Sequence, residues 1–247
     1  MPEVINSAIE SLKESKILIL FTFLPFIILL ILLYAFKIKS PDVSSISLTA
    51  FVPPFVGTET FLNSIKIDGW SDLIENKEWK DFGTQMFFLG LVIYYFIIYS
   101  FYSKSKLGGK FAIIQALLLA LLFVFLSNYL SKLKNVIITL LALLLVFVIP
   151  AASSGFGFFE SFQESFRIVK ENLLEVFSLL FLSVGIFVVI GLFSQDLIFM
   201  ILEFFNFSWE QETIALYILI TFVDAVIIAF QICLFTDYFS AKKKATK

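Results

Sequence analysis

The sequence predicts an all-α integral membrane protein, a bundle of six transmembrane helices with interfacial amphipathic helices before spans one and five. Three observations carry that expectation. The chain is 60% hydrophobic and only 15% charged, whereas soluble domains hold about 25% charged residues. Its mean hydropathy is +0.97. Its apolar residues gather in six long blocks without period-two alternation, and a lipid interior, which cannot hydrogen-bond backbone amides, admits only helices or closed barrels. At 247 residues, one membrane domain over 1–247 accounts for the whole.

Each block approaches or exceeds the roughly 17–25 apolar residues that cross a bilayer as a helix. "SAIESLKESK" predicts a short amphipathic helix leading into span one, Ile17–Phe36. Acids mixed with the lysines before that block mark it as a retained span rather than a cleaved signal. Pro25 inside it predicts a kink, because proline has no N–H to give the preceding turn. An outer loop or cap follows at about 37–85. Pro41, Pro53 and Pro54 keep its first half from being helical throughout. "SDLIENKEWKDF" predicts a short helix there, capped by Ser71, with Trp70 and Trp79 suited to the water–lipid boundary.

Spans two, three and four are expected at Met86–Tyr102, Phe111–Leu130 and Val136–Ala152. Ser153, Ser154 and Gly155 then break the chain and offer an N-cap. In "GFFESFQESFRIVKEN", Phe159, Phe162, Phe166, Val169 and Leu173 recur at helical spacing and share one face. Glu160, Glu164, Arg167 and Glu171 share another, where Glu164–Arg167 and Arg167–Glu171 can pair at i,i+3 and i,i+4. The segment reads as an interfacial helix turning into span five, Leu174–Phe193. It either sets the angle at which the span enters the membrane or offers a face to a peripheral partner. "QDLIFMILEFFNF" is too short to span and is expected along the outer interface, where "NFS" at Asn206 is an acceptor sequon. Span six is Thr213–Phe235, closed by "KKKATK".

Lys and Arg outside the spans set the orientation. With the N-terminus in the cytoplasm, 11 of the 18 fall on inner segments, including "KSKLGGK" and the C-terminal lysines. The "SKLKN" turn disagrees weakly. The expected location is the cell membrane, multi-pass, with both termini cytoplasmic.

The residue inventory excludes whole classes of chemistry. There is no His, and Cys233 is the one cysteine. No disulfide can close within the chain, no zinc or haem site of the usual His/Cys kind can form, and His-based catalysis is ruled out. A net charge of −2 leaves no nucleic-acid footprint. No paired carboxylates or metal-ligand clusters appear, and "KLGGK" is too short for a phosphate loop; a tight turn facing anionic headgroups suits it better. Accordingly no enzyme activity, catalytic residue, cofactor or metal is expected.

"AIESLKESKILILFTFLPFIILLI", followed much later by "FFESFQESFRIVKENLLEVFSLLFLSVGIFVVI", is similar to a broad group of prokaryotic six-helix membrane proteins. That group includes the membrane domain found beside glycerophosphoryl diester phosphodiesterases. Ser165, Phe166, Val169, Lys170 and Asn172 fit its motif before a span, and "LFTDYFSAKKK" resembles its last span. The resemblance covers about half the chain, chiefly the two ends, and implies a six-helix membrane fold without an assigned catalytic site. The long outer loop and a mid-span acid depart from it.

That acid is Asp224, placed near the centre of span six by "LYILITFVDAVIIAFQICLF". A charged carboxylate there costs about 2.5–3.5 kcal/mol on insertion scales, and less if protonated. Thr221 and Gln231 share its helical face, and Gln115 in span three is a further buried amide. Two readings stand: a neutral Asp fastening helices through hydrogen bonds, or a proton or cation site completed by Thr and Gln oxygens. The expected function is therefore a non-enzymatic structural, scaffold or lipid-interacting membrane component. Its partners are membrane lipids and, as a further option, a membrane or peripheral protein. The alternative is a small transporter or channel using Asp224. Ala225 and Ala229, or Gly83 and Gly90, offer places for close helix contact.

Overall fold

The computed structural model describes residues 2–35, 77–129, 140–141, 143–183, 185, 200 and 209–245. All regular structure among them is helical: α1 (Pro2–Glu14), α2 (Lys16–Ala35), α3 (Lys77–Leu107), α4 (Ile113–Tyr129), α5 (Val148–Ser153), α6 (Phe158–Glu171), α7 (Leu173–Ser183) and α8 (Trp209–Ala245). The all-α expectation holds for them. One segment, Thr221–Lys244, is long and apolar enough to cross a membrane by itself; shorter apolar helices lie at Lys16–Pro25, Ile113–Leu122, Leu143–Ser153 and Leu173–Ser183. The first part of the outer loop, "SKLKN", "QDLIFMILEFFNF" apart from Met200, and the sequon lie outside the described residues. Where "SDLIENKEWKDF" was expected to form its own helix, residues 77–82 instead run without a break into α3.

α8 is the central element. α1, α2, α3 and α5 all pack on it, while α4 and α5 pack on α3 and α6 packs on α5. Ala225 and Ala229 are fully buried, and Thr22 of α2 donates to the Ala225 carbonyl at 2.8 Å. The small residues thus admit close approach at the alanine pair, while Gly90 faces open space. On the side of α5, Phe147 stacks on Tyr238 at 5.5 Å and lies tilted against Phe235 and Phe239.

α2 runs continuously through Pro25. Proline deprives the Phe21 carbonyl, four residues back, of its donor. The Tyr94 hydroxyl of α3 donates to that carbonyl at 2.8 Å, and Tyr95 donates to the next one, Thr22, at 3.2 Å. A second interruption falls at the turn before α5 and is closed from outside in the same manner. Ser165 of α6 donates to the Leu144 carbonyl (2.7 Å) and accepts from the Phe147 N–H (3.2 Å), while Tyr99 donates to the Val146 carbonyl (3.2 Å).

This bridging turns Ser161, Ser165, Ile168 and Val169 of α6 inward. Of the five residues expected on one apolar face, Val169 is buried and Phe162 partly so, whereas Phe159, Phe166 and Leu173 point outward. The N-cap also differs from expectation. Gly157 occupies it, and its N–H donates to the Glu160 carboxylate at 2.8 Å. Ser154 is spent instead on the Ala151 carbonyl, and Gly155 takes the left-handed conformation (φ +106°) that ends α5. A Cβ at Gly109 would collide with the Ser153 carbonyl. The loop after α3 and the turn after α5 therefore touch backbone to backbone.

Removing the donor that serves the proline-freed carbonyl, an exposed contact, is expected to cost about 0.5–1.5 kcal/mol. Tyr94→Phe should lower the unfolding free energy in detergent by that amount. In a Pro25→Ala background, where residue 25 regains its N–H, the same change should cost clearly less. Equal costs in both backgrounds would show that the hydroxyl does not serve the proline.

Candidate functional site

The four polar residues singled out in the sequence are all buried. Asp224 is 2% exposed on α8, next to the residue where Thr22 of α2 makes its contact. Thr221, one turn before it, donates to the Ile218 carbonyl of its own helix at 3.2 Å. Gln231 lies two turns further on, about 10 Å along the axis. Its amide donates to Ser183 of α7 at 2.6 Å, and its Oε1 has no hydrogen-bond partner among the described residues. Gln115 comes from α4, which packs on α3 and α5. The structure thus sets Asp224 and Thr221 on one turn and commits Gln231 to α7.

A second buried acid, not anticipated from the sequence, organises one end of the bundle. Asp237, 5% exposed, accepts from Ser11 (2.7 Å) and Ser7 (3.1 Å) of α1 through Oδ2. Lys106 of α3 donates to Ser11 at 2.8 Å and faces Asp237 Oδ1 at 3.8 Å. The Tyr102 hydroxyl and Cys233 thiol adjoin the group, and Ser103 and Thr236 share a hydrogen bond at 3.1 Å just beside it. "LFTDYFSAKKK" looks locally like an apolar run ending in water, so Asp237 passes for a boundary residue. The signal lay elsewhere, in Ser7, Ala8 and Ser11, whose i,i+4 serines line the inner face of α1.

Further charge pairs close the same end. Glu175 accepts from Tyr238 (2.9 Å) and pairs with Lys242 (2.8 Å), and Lys243 donates to the Ser154 carbonyl at 3.1 Å. On α6, Arg167 bridges Glu164 and Glu171 at the spacings the sequence indicated. The hydrogen bonds that Arg167 donates to Glu164 hold the guanidinium above its ordinary pKa. α1, the loop after α3, the turn after α5 and the C-terminal lysines therefore meet at one end of the molecule.

Chemically, this end is built for holding helices together. Its carboxylates are engaged by hydroxyls and lysines, and among the described residues no three His, Cys, Asp or Glu side chains are grouped to hold a metal ion. No protein-family model matches the chain, and neither the curated proteins nor the solved structures yield a match.

The two partners of the Asp237–Lys106 pair should differ in cost. Lys106 is 38% exposed in its side chain and Asp237 only 2%. Losing the lysine strands a buried carboxylate; losing the acid frees a lysine to reach water. Lys106→Met is expected to cost about 2–3 kcal/mol, less than the 3–5 for a fully buried pair, and Asp237→Asn about 1 kcal/mol. Denaturant unfolding of both single variants and the double variant checks the order.

Proposed function

We propose that this chain is a multi-pass cell-membrane protein with a structural, lipid-interacting and non-enzymatic role. The observation that carries the reading is the inside-out distribution of polarity. Leu20, Leu24, Ile28 and Ile31 of α2, Ile114, Leu118 and Leu121 of α4, and Leu174, Phe177 and Phe181 of α7 all face outward. Thr22, Ser100, Gln115, Ser183, Asp224 and Gln231 are turned in. Apolar stripes this long on several helices exceed what a soluble surface leaves in water. The helix Thr221–Lys244 supports the same reading.

In this proposal the six sequence blocks are the spans, and both termini lie on the cytoplasmic side. The gathering of α1, Lys104–Lys110 and Lys242–Lys244 at one end is in keeping with the positive-inside count. α6, with Phe159 77% exposed, would lie in the interface and lead into span five. The likeness to the six-helix group is part of the same proposal. A second reading, a small transporter or channel using Asp224, draws on one observation: a carboxyl 2% exposed within the central helix.

Topology is tested in a Cys233→Ala background with a membrane-impermeant maleimide and sealed vesicles. Cysteines replacing Lys110 and Lys244 should react from one face, and a cysteine replacing Lys66 only from the other. Labelling of all three from one face, or release of the protein by alkaline carbonate, would overturn the multi-pass reading.

The role of Asp224 is tested by melting. With a helix-fastening acid, sodium should leave the midpoints of wild type and Asp224→Asn unchanged. A sodium-dependent rise in wild type that the variant loses would favour the transport reading through ligand linkage.

A further inference from the structure

The loop joining α3 to α4 carries two lysines that no acid among the described residues pairs with. Lys106 is engaged by Asp237 and Ser11, but Lys104 and Lys110 have no acidic partner among the described residues. The sequence supplies none nearby, since no acidic residue occurs between Asp81 and Glu160. Lys104 holds its ammonium 3.5 Å from the centroid of the Phe111 ring. Lys110 is exposed one residue away.

Apolar surface begins directly below these charges. The Phe111 ring meets Phe101 edge-on at 4.6 Å. Both rings are exposed, and from Phe111 an exposed stripe continues along α4 through Ile114, Leu118 and Leu121 at spacings of three and four. The loop above is held at two points: Gly109 lies against the backbone of Ser153, and the Ala112 N–H donates to Ser100 Oγ at 2.6 Å. Two cations, Lys104 held over the Phe111 ring and Lys110 exposed, thus stand at the head of a hydrophobic track two to three turns long. That arrangement matches an amphiphile with a negative head and an extended tail.

We propose that this corner binds an anionic phospholipid, its phosphate at Lys104 and Lys110 and an acyl chain along Phe101, Phe111, Ile114, Leu118 and Leu121. The inference rests on the membrane reading above and assigns the lipid class and the residues that read it. The aromatic ring beneath Lys104 keeps the ammonium at the boundary between head and chain. Each lysine near an anionic surface adds a comparable increment of affinity, so removal of two should weaken binding by roughly tenfold or more.

The test follows the melting midpoint of the full-length protein in a neutral detergent, with phosphatidylglycerol or phosphatidylcholine titrated into the micelles. Phosphatidylglycerol should raise the midpoint saturably, less so at high salt, and phosphatidylcholine should not. Lys104→Gln with Lys110→Gln should shift the titration by at least about tenfold, while Lys104→Arg with Lys110→Arg keeps it. Lys13→Gln with Lys16→Gln, an equal charge change at the same end, should also keep it. If the double glutamine variant does not fold, Lys110→Gln alone serves, because that side chain is exposed. A phosphatidylglycerol response unchanged in the glutamine variants, or lost equally in the Lys13/Lys16 control, overturns the site. So does an equal shift from inorganic phosphate. Failure of the membrane reading itself would appear separately, in the vesicle-labelling and carbonate experiments.

Discussion

The structure is governed by one constraint: every backbone carbonyl and amide that a helix leaves unserved must find a partner within the protein. In water such a group costs little. In a low-dielectric interior it costs several times more, because no solvent replaces the lost bond. Two interruptions test the rule here. Pro25 frees the Phe21 carbonyl in α2, and the turn before α5 frees groups on both sides of it. Both are answered by hydroxyls from neighbouring helices, Tyr94 in the first case and Ser165 and Tyr99 in the second.

This makes α3 more than a packing element. Its run "YYFIIYSFYSKSK" presents Tyr94, Tyr95, Tyr99, Ser100, Ser103 and Lys106 to six partners in five places, on α2, the turn before α5, the start of α4, α8 and α1. A tyrosine suits the task because its ring is apolar along its length and polar only at the tip. The same logic explains why Ser165, Val169 and Asn172 stand where they do. Ser165 serves the broken helix, Val169 fills the interior, and Asn172 gives its amide to the Ile168 carbonyl at the end of α6. A sequence motif at these positions is accounted for by architecture without any ligand.

Local pattern made much of the fold legible. Blocks of apolar residues foretold that the described chain is helical, although the block expected as span four, Val136–Ala152, turns at Val146 and Phe147. The i,i+3 and i,i+4 charges on α6 pair as spaced. Ala225 and Ala229 mark a close crossing. What stayed hidden depends on partners far away in the chain. The N-cap at Gly157 could not be read because Ser154 is drawn to Ala151 and Gly155 is needed to end α5. The outward turn of Phe159 and Phe166 follows from Ser165 reaching back 21 residues to Leu144. Asp237 was the largest omission for the candidate site, since its burial is decided by serines at the opposite end of the sequence. Asp224, by contrast, sits deep in an apolar run and is conspicuous wherever the neighbouring helices lie.

The contact between Ser11 and Asp237 joins residues 226 positions apart. A ribosome adding roughly 5–20 residues per second needs about 10–50 s to travel that far. Throughout that interval α1 has been made but the acid that receives its serines has not. Only once residue 237 has been added can Ser7 and Ser11 take the partner they hold in the fold, so this end of the bundle closes late in synthesis.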